Sequence, residues 1–434
     1  MRLLIFQLIF AIWGFKGIFN FRAAAGLYLF VEIFRPLAFS FAEGAFPASM
    51  LAMGVLAISY IIGIATGSIK FRANYLFFTT IPFLIWIFYC TQVSAFPATA
   101  LIGLKTSFLY IIPILLISTG INTRKDINYL ILVAAVSLGI WASRFGLDSL
   151  FNGVNKYMEI PGSQIGDNNN LAAAIDAAIP LLFFTASFYS GKLAGFWRKI
   201  FMAMFFLSIV AVIFSDSRGG ALGLLAIVIV YVCIFAKKKL RAIALAVLLA
   251  IVVAAVLPQS FYDRMSTLKH VGTKQAESSA SERMLLLTST FAAAKDHSLF
   301  GVGPYCWLNI AKDYTGLNRA MQPHNVWLKA WVELGLVGLF LFILIWLGVI
   351  VDLIMVYRSS RATGNLWVAN VTLCLVLSLF SFLITYTFLN YWDGEYLWFI
   401  LAFGSITCSL YRRGELEDNP DDDEDTTETI PATV

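Results

Sequence analysis

Long apolar runs follow one another along almost the whole chain. A helix needs about 20 apolar residues to cross a hydrocarbon core roughly 30 Å thick. Runs of that kind cover residues 48–66, 75–94, 100–117, 127–145, 171–190, 200–214, 221–236, 242–257, 326–354, 367–390 and 396–410. Charged residues interrupt the first 45 residues, which we expect to form either two crossing helices or a short hairpin lying partly in the interface. The pattern predicts an all-α integral membrane protein with about 12 or 13 transmembrane helices.

Composition supports a membrane protein and excludes a soluble catalytic domain. Of 434 residues, 59% are hydrophobic and 13% are charged, with a mean hydropathy of +0.79. Four of the five cysteines lie in or beside apolar runs, so neither a disulfide framework nor a metal-thiolate cluster is indicated. The apolar stretch after Arg2 lacks a small-residue cleavage pattern before a soluble region, and we interpret it as the first span.

Basic residues recur at every second loop, and short basic loops mark the cytoplasmic side of a membrane protein. The basic positions are Lys70, Arg72, Arg124, Lys125, Lys192, Arg198, Lys199, Lys237, Lys238, Lys239, Arg241, Arg358, Arg361, Arg412 and Arg413. The alternating loops therefore face the opposite, extracytoplasmic side, and the longest of them spans residues 258–323. We predict one polytopic domain over residues 1–411, followed by a disordered, acidic cytoplasmic tail at 412–434.

An arginine lies between two spans that almost no loop separates. Arg218 follows Asp216 and precedes Gly219 and Gly220, so it must lie at or inside the membrane boundary. A charge there needs a partner. It could be an interface anchor or an ion pair with Asp216. It could also bind phosphate, because glycine lets the backbone approach closely and a helix N-terminus offers N–H groups to an anion.

The loop at 258–323 is longer than a simple connection requires, and such loops are functional or disordered. We expect this one to be ordered, with Ser281 capping a helix and a glycine turn over residues 298–303. Arg264 and Arg283 are its candidate anion ligands, although either could be a solvated surface residue. Basic and acidic residues are mixed along the loop, so no nucleic-acid partner is predicted.

Two further polar groups stand just before spans. His324 and Asn325 precede the run at 326–354, and a histidine there is either a hydrogen-bonded interface residue or a group able to take a proton from a hydroxyl. Asp167, Asn168 and Asn170 precede the run at 171–190, where they could cap the helix or bind sugar hydroxyls. The sequence has no HExxH or DxD cluster on the outer side, so we predict neither a metal nor another cofactor.

Several of these motifs, in this order, resemble the O-antigen ligase and O-antigen polymerase superfamily of bacterial membrane glycosyltransferases. The resemblance covers roughly residues 165–345 and rests on the segments 166–172, 217–220, Arg283 with the helix leading into 297–303, and His324-Asn325 before 333–338. It implies a GT-C-like fold. It also implies metal-independent, inverting transfer of a glycan from undecaprenyl diphosphate to an acceptor, with lipid A-core the expected one, at the periplasmic face of the inner membrane.

The resemblance further assigns roles to individual residues. Arg218 and Arg283 would bind the diphosphate of the carrier, and His324 would act as the base or the orienting group for the acceptor hydroxyl. Arg264, Asn325, Asp167, Asn168, Asn170 and Gly219 are the expected substrate-binding residues. His297 is followed by serine where relatives often have proline, and we expect it to be structural.

Other functions remain open at this point. An O-antigen or exopolysaccharide polymerase shares all these motifs with a ligase, and one sequence does not separate them. A small-anion transporter would place Arg218 along a translocation path, but such proteins show polar breaks in paired halves. A scaffold without chemistry predicts that substitution of His324 is silent.

Overall fold

The structure is a computed structural model that describes residues 2–39, 46–153, 158–160, 166–188, 194–256 and 278–416. The described residues contain helices and no strand. The helices are α1 (Arg2–Phe19), α2 (Phe21–Phe34), α3 (Pro36–Phe39), α4 (Ala48–Thr66), α5 (Tyr75–Gln92), α6 (Pro97–Gly120), α7 (Arg124–Asn152), α8 (Asn168–Phe188), α9 (Ala194–Phe214), α10 (Arg218–Val230), α11 (Lys239–Val256), α12 (Ser278–Asp296), α13 (Trp307–Thr315), α14 (Val326–Thr363), α15 (Leu366–Tyr386) and α16 (Glu395–Arg412). A π-helical turn, Tyr231–Phe235, extends α10.

Ten of the described helices are long and apolar enough to cross a membrane: α1, α4 to α9, α10 with its π-helical turn, α14 and α15. The predicted all-α integral membrane fold is therefore confirmed. Helices α11 and α16 form over the two other predicted spans. At the N-terminus, α1 and α2 are joined at Asn20, whose side chain caps α2 by accepting from the Ala23 N–H.

Helix α8 is the centre of the membrane domain. It packs against α7, α9, α10 and α15, and 89% of its most apolar window is buried. Small side chains permit this close packing. A Cβ atom on Gly220 of α10 would lie 2.9 Å from the Cβ atom of Ala172 on α8, so the two helices touch there with almost no side chain between them.

Glu32 and Arg35, two charged residues of the N-terminal apolar stretch, are paired inside the protein. Arg35 ends α2 in a left-handed conformation, with φ of 51°. Its guanidinium pairs with Glu32 at 2.9 Å and with Glu395 at 3.3 Å, joining the end of α2 to the start of α16. A buried charge is costly unless it is paired and hydrogen-bonded, which explains why these three residues occur together.

The described part of the long loop has a small core of its own. Side chains from α12 and α13 pack with Val332 of α14 and Ala100 of α6; they include Ala293, Ala294, Trp307 and Ile310. Helix α12 begins at Ser278, so Ser281 lies inside the helix, and the prediction that Ser281 is its cap is wrong. The ordered helical loop itself is present over residues 278–325, and this packing fixes the position of Arg283.

The glycine turn after α12 is present and pairs with a break in α14. The Val302 and Gly303 N–H groups donate to the carbonyl oxygens of Val332 and Glu333 at 2.9 and 3.0 Å, and the Leu336 N–H donates to the Ser298 carbonyl at 2.8 Å. Helix α14 has its non-helical residue at Gly335. The turn therefore forms hydrogen bonds with backbone carbonyl and N–H groups that would otherwise bond within α14 if the helix were continuous at Gly335.

The chain after α16 remains packed for a few residues. Asn365 Nδ2 donates to the Leu416 carbonyl at 2.6 Å, and Arg72 pairs with Glu415. Residues 417–434, which include most of the predicted acidic tail, lie outside the described residues.

Candidate functional site

Four connections meet at one end of the helices: the turn before α8, the turn between α9 and α10, the segment before α14 and the loop between α15 and α16. In the first of them, Asp167 caps α8. Its Oδ1 accepts from the Asn169 and Asn170 N–H groups at 2.8 Å each, and its Oδ2 accepts from Asn170 Nδ2 at 2.6 Å. The motif was predicted either to cap the helix or to bind sugar hydroxyls, and the structure shows the helix cap. Asp167 remains exposed.

Two asparagines join the α8 cap to the turn that carries Arg218. Asn168 Nδ2 donates to the Ser215 carbonyl at 2.9 Å, and Ser217 Oγ donates to Asn169 Oδ1 at 2.8 Å. Ser217 also caps α10, because its Oγ accepts from the Gly220 N–H at 3.1 Å. The turn passes through a left-handed residue, Asp216, with φ of 59°. The α8 cap, the turn and the first turn of α10 therefore form one hydrogen-bonded unit.

Arg218 is the first residue of α10 and is half-buried. A Cβ atom on the adjacent Gly219 would lie 3.8 Å from the Phe388 ring and 4.0 Å from the Thr385 carbonyl, so the start of α10 lies beside the end of α15. Phe388 belongs to the same turn as Asn390, which contacts His324. The start of α10, which carries Arg218, and His324, more than 100 residues further along the chain, thus both adjoin the segment 385–390.

His324 is held by two hydrogen bonds from a single side chain. Its backbone N–H donates to Asn390 Oδ1 at 2.6 Å, and its ring Nδ1 lies 3.2 Å from Asn390 Nδ2. The residue has φ of 49°, in the left-handed region that non-glycine residues rarely adopt. Such backbone conformations concentrate at functional sites, where the surrounding structure enforces them. His324 is half-buried.

Opposite charges act on the imidazole of His324. Burial lowers its pKa below the ordinary value of 6.5, the Arg283 guanidinium lowers it further, and the Asp167 carboxylate raises it. A pKa responds to charges only at short range. Arg283 on α12 and Asp167 before α8 therefore each lie near His324, and the Arg283 side chain is half-buried.

Asn325 serves a structural purpose. Its Oδ1 accepts from the Leu328 N–H at 2.9 Å, which caps α14. Gly219 lies at the start of α10, as described above. Arg264, the remaining predicted ligand, lies outside the described residues. The described part of the chain contains no group of three or more His, Cys, Asp and Glu residues suited to hold a metal ion.

The loop between α15 and α16 contributes side chains that the sequence analysis did not single out. Asn390 binds His324. Trp392 Nε1 donates to Glu333 Oε2 at 2.9 Å, and Asp393 accepts from the Tyr305 hydroxyl at 2.8 Å. Lys329 lies over the Tyr391 ring at 5.5 Å. In the sequence, these residues stand at the end of the apolar run 367–390 and in the short connection that follows it, on the predicted extracytoplasmic side.

Two segments of the chain match different family models. Residues 203–343 match the family described as O-antigen ligase. Residues 1–190 match a family of unknown function, DUF5935. The first match contains Arg218, Arg283 and His324, and the second contains Asp167 and its neighbours. A search of curated proteins finds no match to the chain.

Proposed function

We propose that this chain, a member of the O-antigen ligase superfamily of membrane glycosyltransferases, transfers a glycan from undecaprenyl diphosphate to an acceptor hydroxyl. The proposed acceptor is lipid A-core, and the transfer inverts the anomeric centre without a metal. The reaction takes place at the periplasmic face of the bacterial inner membrane. Basic residues at the opposite helix ends, such as Arg358 and Arg361 in the last turns of α14, support this orientation.

The observation that carries the proposal is the meeting of Arg218, Arg283 and His324 at one end of the helices. Two guanidinium groups from different segments provide fixed, always-charged forks, which match the oxygens of phosphate. The N-terminus of α10 adds the positive end of a helix at Arg218. All three side chains are half-buried, so the charges act where water screens them only in part.

The proposed step is a single displacement at the anomeric carbon of the first sugar. The acceptor oxygen forms a bond to this carbon from one face, and the bond from the carbon to the diphosphate oxygen breaks on the other. The diphosphate leaves with the electron pair of that bond and gains negative charge. Arg218 and Arg283 stabilise this charge more strongly in the transition state than in the bound substrate, which is the condition for acceleration.

The experiment is transfer in vitro by purified protein with a lipid-linked oligosaccharide and EDTA, offered either lipid A-core or no added acceptor. The variants are Arg218→Ala, Arg283→Ala and His324→Ala. Arg358→Ala is the matched control, because Arg358 is exposed at the far end of α14 from His324. We expect transfer to lipid A-core that the first three substitutions abolish and the control leaves intact.

Other results would change the assignment. Glycan lengthening without added acceptor would identify a polymerase in place of a ligase. Loss of transfer in EDTA that is restored by a divalent cation would overturn the metal-independent mechanism. A protein that catalyses no transfer, but moves a small anion across proteoliposomes in an Arg218-dependent way, would be a transporter.

A further inference from the structure

Asn390 determines which nitrogen of His324 carries the proton. The backbone N–H of His324 can only donate, so the Asn390 atom that faces it at 2.6 Å must be the carbonyl oxygen, Oδ1. The amide orientation is thereby fixed, and the other end of the same amide is an NH₂ group that can only donate. This group faces His324 Nδ1 at 3.2 Å. Nδ1 must therefore accept, and the proton of the neutral ring is on Nε2.

The same arrangement opposes a second proton on the ring. In the imidazolium form Nδ1 also carries a hydrogen, which would face the hydrogens of Asn390 Nδ2. The amide cannot rotate to offer its oxygen without breaking the 2.6 Å bond to the His324 backbone. That bond also supports the left-handed conformation of His324. Asn390 thus holds the His324 backbone in its left-handed conformation and favours the neutral ring with its proton on Nε2.

We propose that Asn390 is a positioning residue that keeps His324 neutral and protonated at Nε2, so that His324 acts as a hydrogen-bond donor to the carrier diphosphate. A hydrogen-bond donor favours an oxygen that gains negative charge in the reaction. Of the two reacting oxygens, the one that leaves with the diphosphate gains negative charge, whereas the acceptor oxygen loses it. The proposal rests on the proposed function for the identity of the anion, but the assignment of the proton does not depend on it.

This role removes His324 Nε2 as the base for the acceptor hydroxyl. In the balanced step the acceptor oxygen bonds to the anomeric carbon, the diphosphate departs from the opposite face with the electron pair, and the hydroxyl proton is released to solvent water on the acceptor side. The products are the glycosylated acceptor, the carrier diphosphate and one proton taken up by the solvent. Water is the only further participant.

The position of the proton can be measured directly, because the chain has three histidines, His270, His297 and His324. Protein labelled with ¹⁵N-histidine gives separate long-range ¹H–¹⁵N patterns for the two neutral tautomers. His270→Gln and His297→Gln identify the signal of His324. At a pH well above its pKa, we expect the Nε2–H tautomer in the wild type. The Nδ1–H tautomer would overturn the proposal.

The substitution Asn390→Asp should reverse the effect of this position on where His324 carries its proton. A carboxylate still accepts from the His324 backbone N–H, but it also accepts from a ring N–H, so the proton should move to Nδ1 and the imidazolium should become more stable. We expect the tautomer to change, the pKa of His324 to rise, and transfer to fall about 10- to 100-fold, the range for losing one hydrogen bond to a charged group. An unchanged tautomer in this variant would contradict the role of Asn390.

Two measurements test the donor role apart from transfer. Inorganic diphosphate should shift the Nε2–H signal of His324 in a saturable way that Arg218→Ala abolishes, and the absence of a shift would overturn donation to the diphosphate. Among activity variants, His324→Gln places an amide N–H near the position of Nε2. We expect it to retain at least about one tenth of the wild-type rate, in keeping with a hydrogen bond that is kept but imperfect. Equal inactivity of His324→Gln and His324→Ala would instead support a base.

The proposed function and this inference fail in different ways. If the purified protein transfers no glycan but shows the Nε2–H tautomer and the diphosphate-dependent shift, the function is wrong and the inference stands. If transfer occurs and the tautomer is Nδ1–H, the function stands and the inference is wrong.

Discussion

Gly335 of α14 lies directly against the carbonyl group of Leu299, so closely that a Cβ atom on Gly335 would overlap the carbonyl oxygen. The glycine also has φ of 70°. This contact lets the turn after α12 bond to the opened backbone of α14, and it links the helix that carries Arg283 to the helix that follows His324. The sequence motifs at 298–303 and 333–338 are thus in direct contact, and we call this contact the joint.

We expect Gly335→Ala to destabilise the protein and reduce its activity. The matched control is Gly316→Ala, since Gly316 has φ of 66° but a Cβ atom added there would meet nothing within 4 Å. A left-handed alanine costs about 1–2 kcal/mol at Gly316. Gly335 has ψ of −178°, a backbone region that essentially only glycine adopts, so its backbone strain is larger, and overpacking adds about 1–3 kcal/mol there alone. Thermal unfolding in detergent should show the larger loss for Gly335→Ala. Equal losses of thermal stability in the two variants would mean that the backbone around Gly335 and Leu299 shifts at little cost to accommodate the added methyl group.

The titration of His324 provides a second prediction. Burial and Arg283 lower its pKa below 6.5, and Asp167 opposes them. Removing the positive charge in Arg283→Gln should therefore raise the pKa, and Asp167→Asn should lower it further while keeping a side chain that can cap α8. NMR titration of His324 measures both shifts. Shifts of the same sign in the two variants would rule out this charge arrangement.

The same pKa sets the expected pH dependence of activity. The folded state favours neutral His324. This residue therefore stabilises the folded protein above pH 6.5, and the stabilisation is lost as the pH falls through the lowered pKa of the folded state. We expect the rate of transfer to fall on the acid side, at a pH below 6.5, and Asp167→Asn to move this acid limb to lower pH. An acid limb that Asp167→Asn leaves in place would have to come from another group.

The sequence predicted the membrane fold, the helix-start motifs and the residues worth testing, because long apolar runs with polar groups beside them are typical of few structures besides membrane helices. It did not predict Asn390. An asparagine in a short loop after a span has no periodicity, and its importance comes from a contact with His324, 66 positions away. The misplaced cap at Ser281 has a similar origin. Several serines near residue 280 are plausible caps, and nothing local distinguishes among them.

Substitution of the two site arginines by lysine tests whether the fork geometry matters or only the charge. Lysine keeps the positive charge but cannot bind two phosphate oxygens through a planar fork. We expect Arg218→Lys and Arg283→Lys each to lower the transfer rate about 10- to 100-fold, with Arg358→Lys as the unaffected control. Full activity in both site variants would remove the proposed diphosphate role.

The buried pair formed by Tyr305 and Asp393 supports the loop that carries Asn390. The Tyr305 hydroxyl donates to Asp393 Oδ2 at 2.8 Å, Ser107 lies 3.4 Å from the same oxygen, and Asp393 is 1% exposed. Burial raises the pKa of Asp393 above its usual range, against the effect of these hydrogen bonds and of Lys329. The folded state therefore binds a proton at Asp393 more readily than the unfolded chain.

A double-mutant cycle with Tyr305→Phe and Asp393→Leu measures this pair. We expect each single variant to lose about 1–3 kcal/mol, because it leaves a buried polar group without its partner, and the double variant to lose less than the sum. Since the pKa of Asp393 is raised on folding, the stability of the wild type relative to Asp393→Asn should decrease as the pH rises through that pKa. Unfolding in detergent at several pH values tests both points. Additive losses, or a stability difference that grows with pH, would show that the Asp393 carboxyl is not held as the structure indicates.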